Sequence, residues 1–273
     1  MRRSTVLAVA LAALSIAGLA GCGEDPAPAA VSTASPVART ATAAPTSQGA
    51  TTTTPSFPAP TTAGGAIDPA QALALAGETP YAATQDFTSG GGPVTTTVKG
   101  RVNLNGPVRT GRLDEKVKSG PVGVLGGDSD GPTVIVGDDG KTYTKGDNGW
   151  SISPRGDRIA DYHAYATLLL SFGPSARKGM EDCAGTPCFH LSGRVDLEQI
   201  RAVEASLYQT LKAKNAKEFQ LDQWIDAQGR TVRYDRLVEF EGLQVRTSGA
   251  FRDFGPVEKV DAPPLGGAAG PGT

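Results

Sequence analysis

Alternating apolar and polar residues, interrupted by short turn motifs, dominate the sequence between Val94 and Phe251. Val94, Val98 and Val102 alternate with polar neighbours, which is typical of a strand with one side facing solvent. The Asn105-Gly106 pair that follows favours a tight hairpin turn. Strands joined by such turns run antiparallel, because a parallel crossover needs about a dozen residues or more. The pattern therefore predicts an antiparallel sheet.

Further strands are predicted on both sides of a helical middle region, separated by turns such as Gly137–Gly140 and Asp226–Gly229. These strands are Thr133–Val136, Lys141–Thr144, Trp150–Ile152, Phe189–Leu191, Phe219–Ile225, Val232–Phe240 and Leu243–Phe251. On the strand that begins at Val232, four apolar or aromatic residues are predicted to share one face, with Arg236 among them.

Three helices are predicted, each beginning at an aspartate that can accept hydrogen bonds from free backbone N–H groups. The predicted starts are Asp68, which precedes Pro69, then Asp157, and then Asp196, which forms a capping-box pattern with Gln199. The third helix carries its apolar side through Leu197, Ile200, Val203, Leu207 and Leu211. Together these elements predict an α+β fold, one antiparallel sheet whose apolar face is covered by about three helices.

The first 21 residues have the layout of an export signal. Arg2 and Arg3 form a positively charged start, and Val6–Ala20 is an uncharged apolar run. This run is shorter than the roughly 20 residues that a membrane-spanning helix needs. Residues 1–21 are therefore predicted to be a signal peptide.

The apolar run ends in Leu19-Ala20-Gly21-Cys22, which resembles the lipobox of bacterial lipoproteins. The resemblance implies that Cys22 becomes the first residue of the mature chain and carries fatty acyl groups such as palmitate. Stable attachment takes more than one acyl chain, since a single chain anchors only marginally. The resemblance therefore implies a protein tethered to a membrane face outside the cytoplasm. An ordinary secretory signal with an incidental cysteine is the alternative.

Two further cysteines, Cys183 and Cys188, enclose a short segment that contains Gly185 and Pro187. An exported chain reaches an oxidising compartment, so a disulfide between them is predicted. A redox-active pair is the alternative, although such pairs usually have Cys-x-x-Cys spacing. A zinc site would need four ligands, which the sequence does not bring together.

Composition divides the rest of the chain. Residues 22–66 are rich in Ala, Thr, Pro and Ser and carry few charges, which predicts a disordered linker behind the lipidated N-terminus. Residues 67–262 are the predicted folded domain, and the Gly- and Pro-rich residues 263–273 are a predicted flexible tail. The net charge of −2 argues against nucleic acid as a partner.

The order of motifs resembles the LppX/LprG family of actinobacterial envelope lipoproteins and, more broadly, the LolA/LolB lipoprotein-carrier fold. The residues that carry this resemblance are Cys22, Trp150, Cys188, the segment from Trp224 to Arg230, and Phe251–Pro256 ahead of Asp261–Pro264. The resemblance implies a curved antiparallel sheet, or half-barrel, that wraps helices around an apolar cavity. It also implies a membrane-anchored protein that binds or carries a lipid or lipidated glycan. Neither a cofactor nor an enzymatic activity is predicted from the sequence.

A lipid carrier needs a continuous apolar slot, because removing a dozen methylenes from water is worth roughly 10 kcal/mol. The candidate lining residues are Leu169, Leu207, Val232, Tyr234, Val238, Phe240 and Val245. The alternative is that these residues pack against one another as core. The chain would then be a non-enzymatic interaction module with a filled cavity, whose outer face meets an envelope protein.

No residue is predicted to be catalytic or to bind a metal. The segment from Gly127 to Gly131 matches the Gly-x-Ser-x-Gly hydrolase motif around Ser129, but it lacks the preceding strand and following helix, so a polar loop is predicted there. His163 and His190 are predicted to be packed or surface histidines. A catalytic triad assembled only in space stays open at this point.

Overall fold

The computed structural model describes residues 66–119, 128–153 and 158–265. Its helices are α1 (Pro69–Glu78), α2 (Tyr162–Ser171) and α3 (Ala205–Ala213). Its strands are β1 (Tyr81–Gly91), β2 (Val94–Leu104), β3 (Thr110–Ser119), β4 (Asp128–Val136), β5 (Thr142–Gly146), β6 (Gly149–Ser153), β7 (Arg177–Cys183), β8 (Thr186–Asp196), β9 (Glu218–Ile225), β10 (Thr231–Phe240) and β11 (Leu243–Gly255). The predicted signal peptide, Cys22 and nearly all of the predicted linker lie outside the described residues.

All eleven described strands form one antiparallel sheet in the order β6-β5-β4-β3-β2-β1-β11-β10-β9-β8-β7. Two meanders meet where β1 pairs with β11, so strands from the two ends of the domain lie side by side at its centre. The sheet is open, with β6 and β7 at its edges. The structure confirms the predicted α+β class, with one antiparallel sheet and three helices.

The core lies between α2 and one face of the sheet, which we call the inner face. Phe87 from β1, Phe251 from β11 and Tyr234 from β10 surround Tyr162 at the start of α2. The Tyr162 ring lies 4.8 Å from Phe251 and 5.2 Å from Tyr234 between centroids, both in edge-to-face orientation. Gly249 lies directly under Phe87, because a Cβ at that position would be 1.8 Å from the ring. The centre of the sheet is therefore filled by closely packed aromatic rings.

Helix α1 packs on the turn between β9 and β10. Asp68 caps the helix by accepting hydrogen bonds from the N–H groups of Ala70 and Gln71, as predicted. Gly229 in the turn has a φ of +72°, and a Cβ there would be 2.1 Å from the carbonyl oxygen of Ala72. Only glycine satisfies both the left-handed backbone and this close approach.

The second and third helices differ from their predicted extents. Helix α2 begins at Tyr162 with Asp161 as its N-cap, so it starts later than a helix capped at Asp157 would. The predicted capping box of Asp196 and Gln199 is confirmed, but it opens only a 3₁₀ turn, Leu197–Ile200. The chain then turns before α3, and Glu204 at the N-cap adopts a non-helical backbone with φ −147°. Within the described ranges, no helix is long and apolar enough to span a membrane.

The chain after β11 crosses the sheet as a strap (residues 256–262). The side-chain amide of Asn103 donates to the carbonyl oxygen of Glu258 at 2.6 Å, and its Oδ1 accepts from the Glu258 N–H at 3.0 Å. Farther along, Val260 and Asp138 exchange two hydrogen bonds. The strap therefore ties the end of the domain to the strands on the β2–β5 side of the sheet.

Candidate functional site

On β1, β2, β3 and β11, burial decreases along the inner face from the helix-covered end of the strands toward their hairpin end, whereas Val238 on β10 stays buried. On β2, Val102 and Leu104 are fully buried at one end, whereas the inner-face residues nearer the hairpin are half-buried. We call these half-buried inner-face residues the open strip. Its valines and threonines are Val94, Thr96, Val98, Val117, Val245 and Thr247, and the half-buried Ser89, Gly91 and Glu115 lie among them. Its surface is built from valine methyl groups and threonine side chains.

A row of polar residues crosses the open strip from strand to strand. The pairing register places Arg236 beside Thr247, Thr247 beside Ser89, and Ser89 beside Thr96. The hydroxyls of Ser89 and Thr247 are hydrogen bonded at 2.9 Å. We call these four residues the polar row. It separates the packed aromatic core from the apolar residues near the hairpins.

Arg236 brings a positive charge to the inner face at the end of the polar row. Its Nη1 lies 3.5 Å from the hydroxyl of Tyr234 and 3.9 Å from Oε2 of Glu204. The same Glu204 oxygen accepts a 2.6 Å hydrogen bond from the hydroxyl of Tyr165. The Arg236 side chain is only 15% exposed, and its Nε–H is buried without a partner in the described structure. A buried, partly satisfied guanidinium is an unusual group to find in an apolar interior.

Burial and neighbouring charges shift the proton equilibria of this group. Burial raises the pKa of Tyr234 to about 12, so the phenol stays neutral at physiological pH. Burial opposes the charged form of Arg236, but the tyrosine oxygens and Glu204 outweigh it and raise the pKa of the guanidinium. Arg236 therefore remains a cation with a neutral phenol beside it.

A second charged pair lies on the inner face at the other side of the open strip. Glu115 lies at an inward position of β3, paired with Val98. Its Oε1 lies 3.8 Å from Nη1 of Arg158. Burial raises the pKa of Glu115, and the nearby Arg158 partly offsets that shift. The open strip is thus flanked by Arg236 on one side and by the Glu115–Arg158 pair on the other.

The structure separates the seven candidate cavity-lining residues into three groups. Leu169, Leu207, Tyr234 and Val238 are buried in the main core, and Phe240 packs against that core half-buried. Val245 lies on the open strip. Val232 belongs instead to a small cluster with Trp224 and Cys188. The predicted shared face breaks at Val232 because a register shift between Thr231 and Arg233 inserts one extra residue into β10.

That small cluster lies on the opposite, outer face of the sheet beside the disulfide. Cys183 and Cys188 are bonded to each other across the β7–β8 hairpin, as predicted. Next to them, Trp224 donates an indole hydrogen bond to Glu181 at 2.7 Å, and Arg233 lies over the indole at 4.1 Å. The disulfide and these polar contacts stabilise this part of the outer face.

His190 joins two carboxylates within this outer cluster. Its Nδ1 is 2.7 Å from Glu181, and its Nε2 is 2.9 Å from Asp222. The Trp224 indole and His190 hold the pKa of Glu181 below its usual range. Burial alone would raise the pKa of Asp222, but hydrogen bonds from His190, Ser192 and Gln220 outweigh it and lower the pKa. Both ring nitrogens of His190 are occupied by these contacts.

The remaining sequence candidates do not assemble a reactive site. Ser129 lies in strand β4, not in the predicted polar loop, because the segment pairs with Val117 and its neighbours on β3. His163 lies on α2 close to Gly77, and burial lowers its pKa. Among the described residues, no group of His, Cys, Asp and Glu is placed to hold a metal ion.

The sequence predicts Arg236 among apolar neighbours on its strand but does not indicate a role for it. The available signal was an arginine at an inward, period-two position between Tyr234 and Val238. Its partners could not be found in this way. Glu204 and Tyr165 come from two different helical regions, and only the packing of those regions on the sheet brings them to Arg236.

No family model matches the chain, and no curated protein sequence matches it. Among solved structures, the chain is similar to LprF from Mycobacterium bovis, with 15% identity and a TM-score of 0.41 over 73% of this chain and 99% of that one. It is also similar to the Mycobacterium tuberculosis lipoprotein LppX, with 13% identity and a TM-score of 0.42 over 71% of this chain and 96% of that one. LppX is a member of the family that the sequence motifs resemble.

Proposed function

We propose that this protein is an extracytoplasmic, lipid-anchored protein that binds a lipid or lipidated glycan of the cell envelope on the open strip. The acyl chains lie along the valine and threonine side chains of the open strip. The proposal includes no catalytic activity. Cys22 carries the anchor, and the linker holds the domain away from the membrane.

The proposal depends on the decrease in burial along the inner face, from the helix-covered end of the strands toward their hairpin end. Val102 on β2 is fully buried, whereas Val94 and Val98 on the same face are only half-buried. Each buried methylene contributes about 0.8 kcal/mol, so an acyl chain laid on a partly covered apolar strip is stabilised along its whole length. A strip of this kind needs no catalytic residues.

Two features support the proposed location outside the cytoplasm. The lipobox-like segment that ends at Cys22 follows an apolar run typical of export signals. The disulfide between Cys183 and Cys188 is of the kind that persists in oxidising compartments.

A second candidate function is a protein-interaction module with a filled interior. The packing of Tyr162 against Phe87, Phe251 and Tyr234 favours it, because these rings occupy the space beneath α2. In this case the outer face contacts an envelope protein and the open strip carries no lipid. The two functions differ in whether lipid accompanies the purified chain.

The experiment uses the full chain carrying Cys22→Ser, so that the anchor itself contributes no lipid. The protein is purified without detergent, and bound lipid is extracted and quantified by mass spectrometry. Thr96→Glu places a charge on the open strip, and its matched control Thr97→Glu places the same charge on the outer face of the same strand. We expect lipid with the parent and with Thr97→Glu, and at least fivefold less with Thr96→Glu. Absence of lipid from the parent, or equal amounts in both variants, would contradict the proposal.

A further inference from the structure

We propose that Arg236 binds an oxyanion, the carboxylate or phosphate of an acyl-chain ligand, at the inner end of the open strip. This inference rests on the proposed function, and it adds the chemical class of the ligand and the residue that recognises it.

The first support is the position of the guanidinium. Arg236 shares a row with Thr247 and Ser89, and it directly adjoins the packed core at Tyr234. An acyl chain lying on the open strip therefore meets Arg236 where the strip ends. An amphiphile has its polar group at one end of the chain, and that group would lie beside the guanidinium of Arg236, whose Nε–H has no described partner.

The second support is the unused hydrogen-bonding capacity of the guanidinium. Nη1 faces Tyr234 and Glu204, but Nε–H is buried and without a partner in the described structure. A buried donor left unsatisfied costs about 1–3 kcal/mol, and more for a charged group. The Nε side of a guanidinium presents two parallel N–H donors, an arrangement that matches carboxylate and phosphate oxygens.

The third support is the nature of the neighbours. Glu204 offsets the charge of Arg236 from 3.9 Å, which is too long for a hydrogen bond, so that contact does not use up a donor. Tyr234 is held neutral by its raised pKa of about 12 and keeps its hydroxyl hydrogen. The hydroxyls of Thr247 and Ser89 lie along the path of the chain. The hydroxyl groups of Tyr234, Thr247 and Ser89 thus offer donors to an oxyanion, while the Glu204 carboxylate opposes its negative charge.

The test compares ligands that share one ten-carbon chain and differ in their head group. Decanoate, decyl phosphate and uncharged decanol are titrated by calorimetry into the full chain carrying Cys22→Ser, with inorganic phosphate as a chain-free probe. The variants are Arg236→Met and, as a matched control from the same strand, Arg233→Met. Arg233 lies on the outer face over Trp224 and near Asp235.

We expect the parent to bind at least one anionic ligand at least tenfold more tightly than decanol. Arg236→Met should remove this preference while changing decanol affinity less than twofold, and Arg233→Met should leave it intact. Preference for only one anion identifies whether a carboxylate or a phosphate is recognised. Inorganic phosphate bound as tightly as decyl phosphate would overturn the proposal, because the chain would then contribute nothing.

Two further outcomes separate this inference from the proposed function. Equal affinity of the parent for all three ten-carbon ligands overturns the role of Arg236 and leaves lipid binding in place. Failure of all three to bind contradicts both. The comparison of the three ligands in the parent needs no variant, so it tests the preference for an anion even if Arg236→Met does not fold. Arg236→Lys keeps the charge but not the paired donors, so it should retain part of that preference.

Discussion

His190 stacks on Trp224, with the two ring centroids 4.3 Å apart and their planes inclined by 12°. Both rings also bind Glu181, the histidine through Nδ1 and the indole through Nε1–H. Strands β7, β8 and β9 are thereby linked by side chains as well as by their backbone ladder. The arrangement depends on Glu181 and Asp222 being ionised.

Acidification should weaken this outer cluster. Glu181 and Asp222 have lowered pKa values, so their contribution to stability is complete above their ordinary values of 4.5 and 3.8 and is lost as the pH falls through the lower folded values. Urea unfolding midpoints measured between pH 6 and pH 2 should therefore fall less steeply for Glu181→Gln than for the parent. Glu218→Gln, which changes an exposed partner of Arg194, is the control. Parallel pH profiles for Glu181→Gln and the parent would refute the coupling.

The contact between Phe87 and Gly249 should make that glycine difficult to replace. A Cβ at position 249 would be 1.8 Å from the Phe87 ring, whereas one at Gly146 meets nothing within 4 Å. Gly249→Ala should lower the free energy of unfolding by about 1–3 kcal/mol through overpacking. Gly146→Ala should change it by less than about 0.5 kcal/mol. Equal denaturant midpoints for the two variants would show that the ring moves aside at no cost.

Removing the disulfide should destabilise the domain without unfolding the sheet. Closing so short a loop lowers the conformational entropy of the unfolded chain, which stabilises the folded state by about 2 kcal/mol in the chain-entropy model. The double variant Cys183→Ser, Cys188→Ser should lose about that amount in urea unfolding while keeping the far-ultraviolet circular dichroism spectrum of the parent. A parent protein whose stability is unchanged by a reducing agent would contradict this expectation.

The side chain of Asn103 should hold the strap that follows β11 against the sheet. It is buried, and its side chain bonds both backbone groups of Glu258 as well as the hydroxyl of Thr110. Asn103→Ala removes these bonds, so hydrogen exchange of residues 257–260 should become at least tenfold faster. Exchange in β10 should stay unchanged, and a uniform increase over the whole domain would instead indicate global destabilisation.

The strands that the sequence predicted well are those whose inward residues are apolar. β10 and β9 agree with their predicted ranges within one residue at each end, because Tyr234, Val238 and Leu221 face the core. β1 was missed, since its inward positions near the hairpin are occupied by Ser89 and Gly91 and carry no apolar period. Ser89, whose polar side chain interrupts the hydrophobic pattern of this strand, also belongs to the polar row.

Other features depend on contacts that no local pattern encodes. β7 was missed because it is an edge strand that is exposed on most of its residues. The turn after β2 was placed correctly at Asn105 but is longer than the motif predicts, since β3 begins only at Thr110. The bulge that moves Val232 to the outer face is visible only in the pairing of β9 with β10.

Photoaffinity labelling can show whether a lipid binds on the open strip. A long-chain fatty acid with a diazirine in mid-chain is added to the full chain carrying Cys22→Ser, and the labelled residues are identified by peptide mass spectrometry. We expect saturable labelling of inner-face residues such as Thr96, Val117 and Val245, and unlabelled fatty acid should suppress it. Saturable labelling confined to the outer face around Trp224, or labelling that unlabelled fatty acid does not suppress, would contradict it.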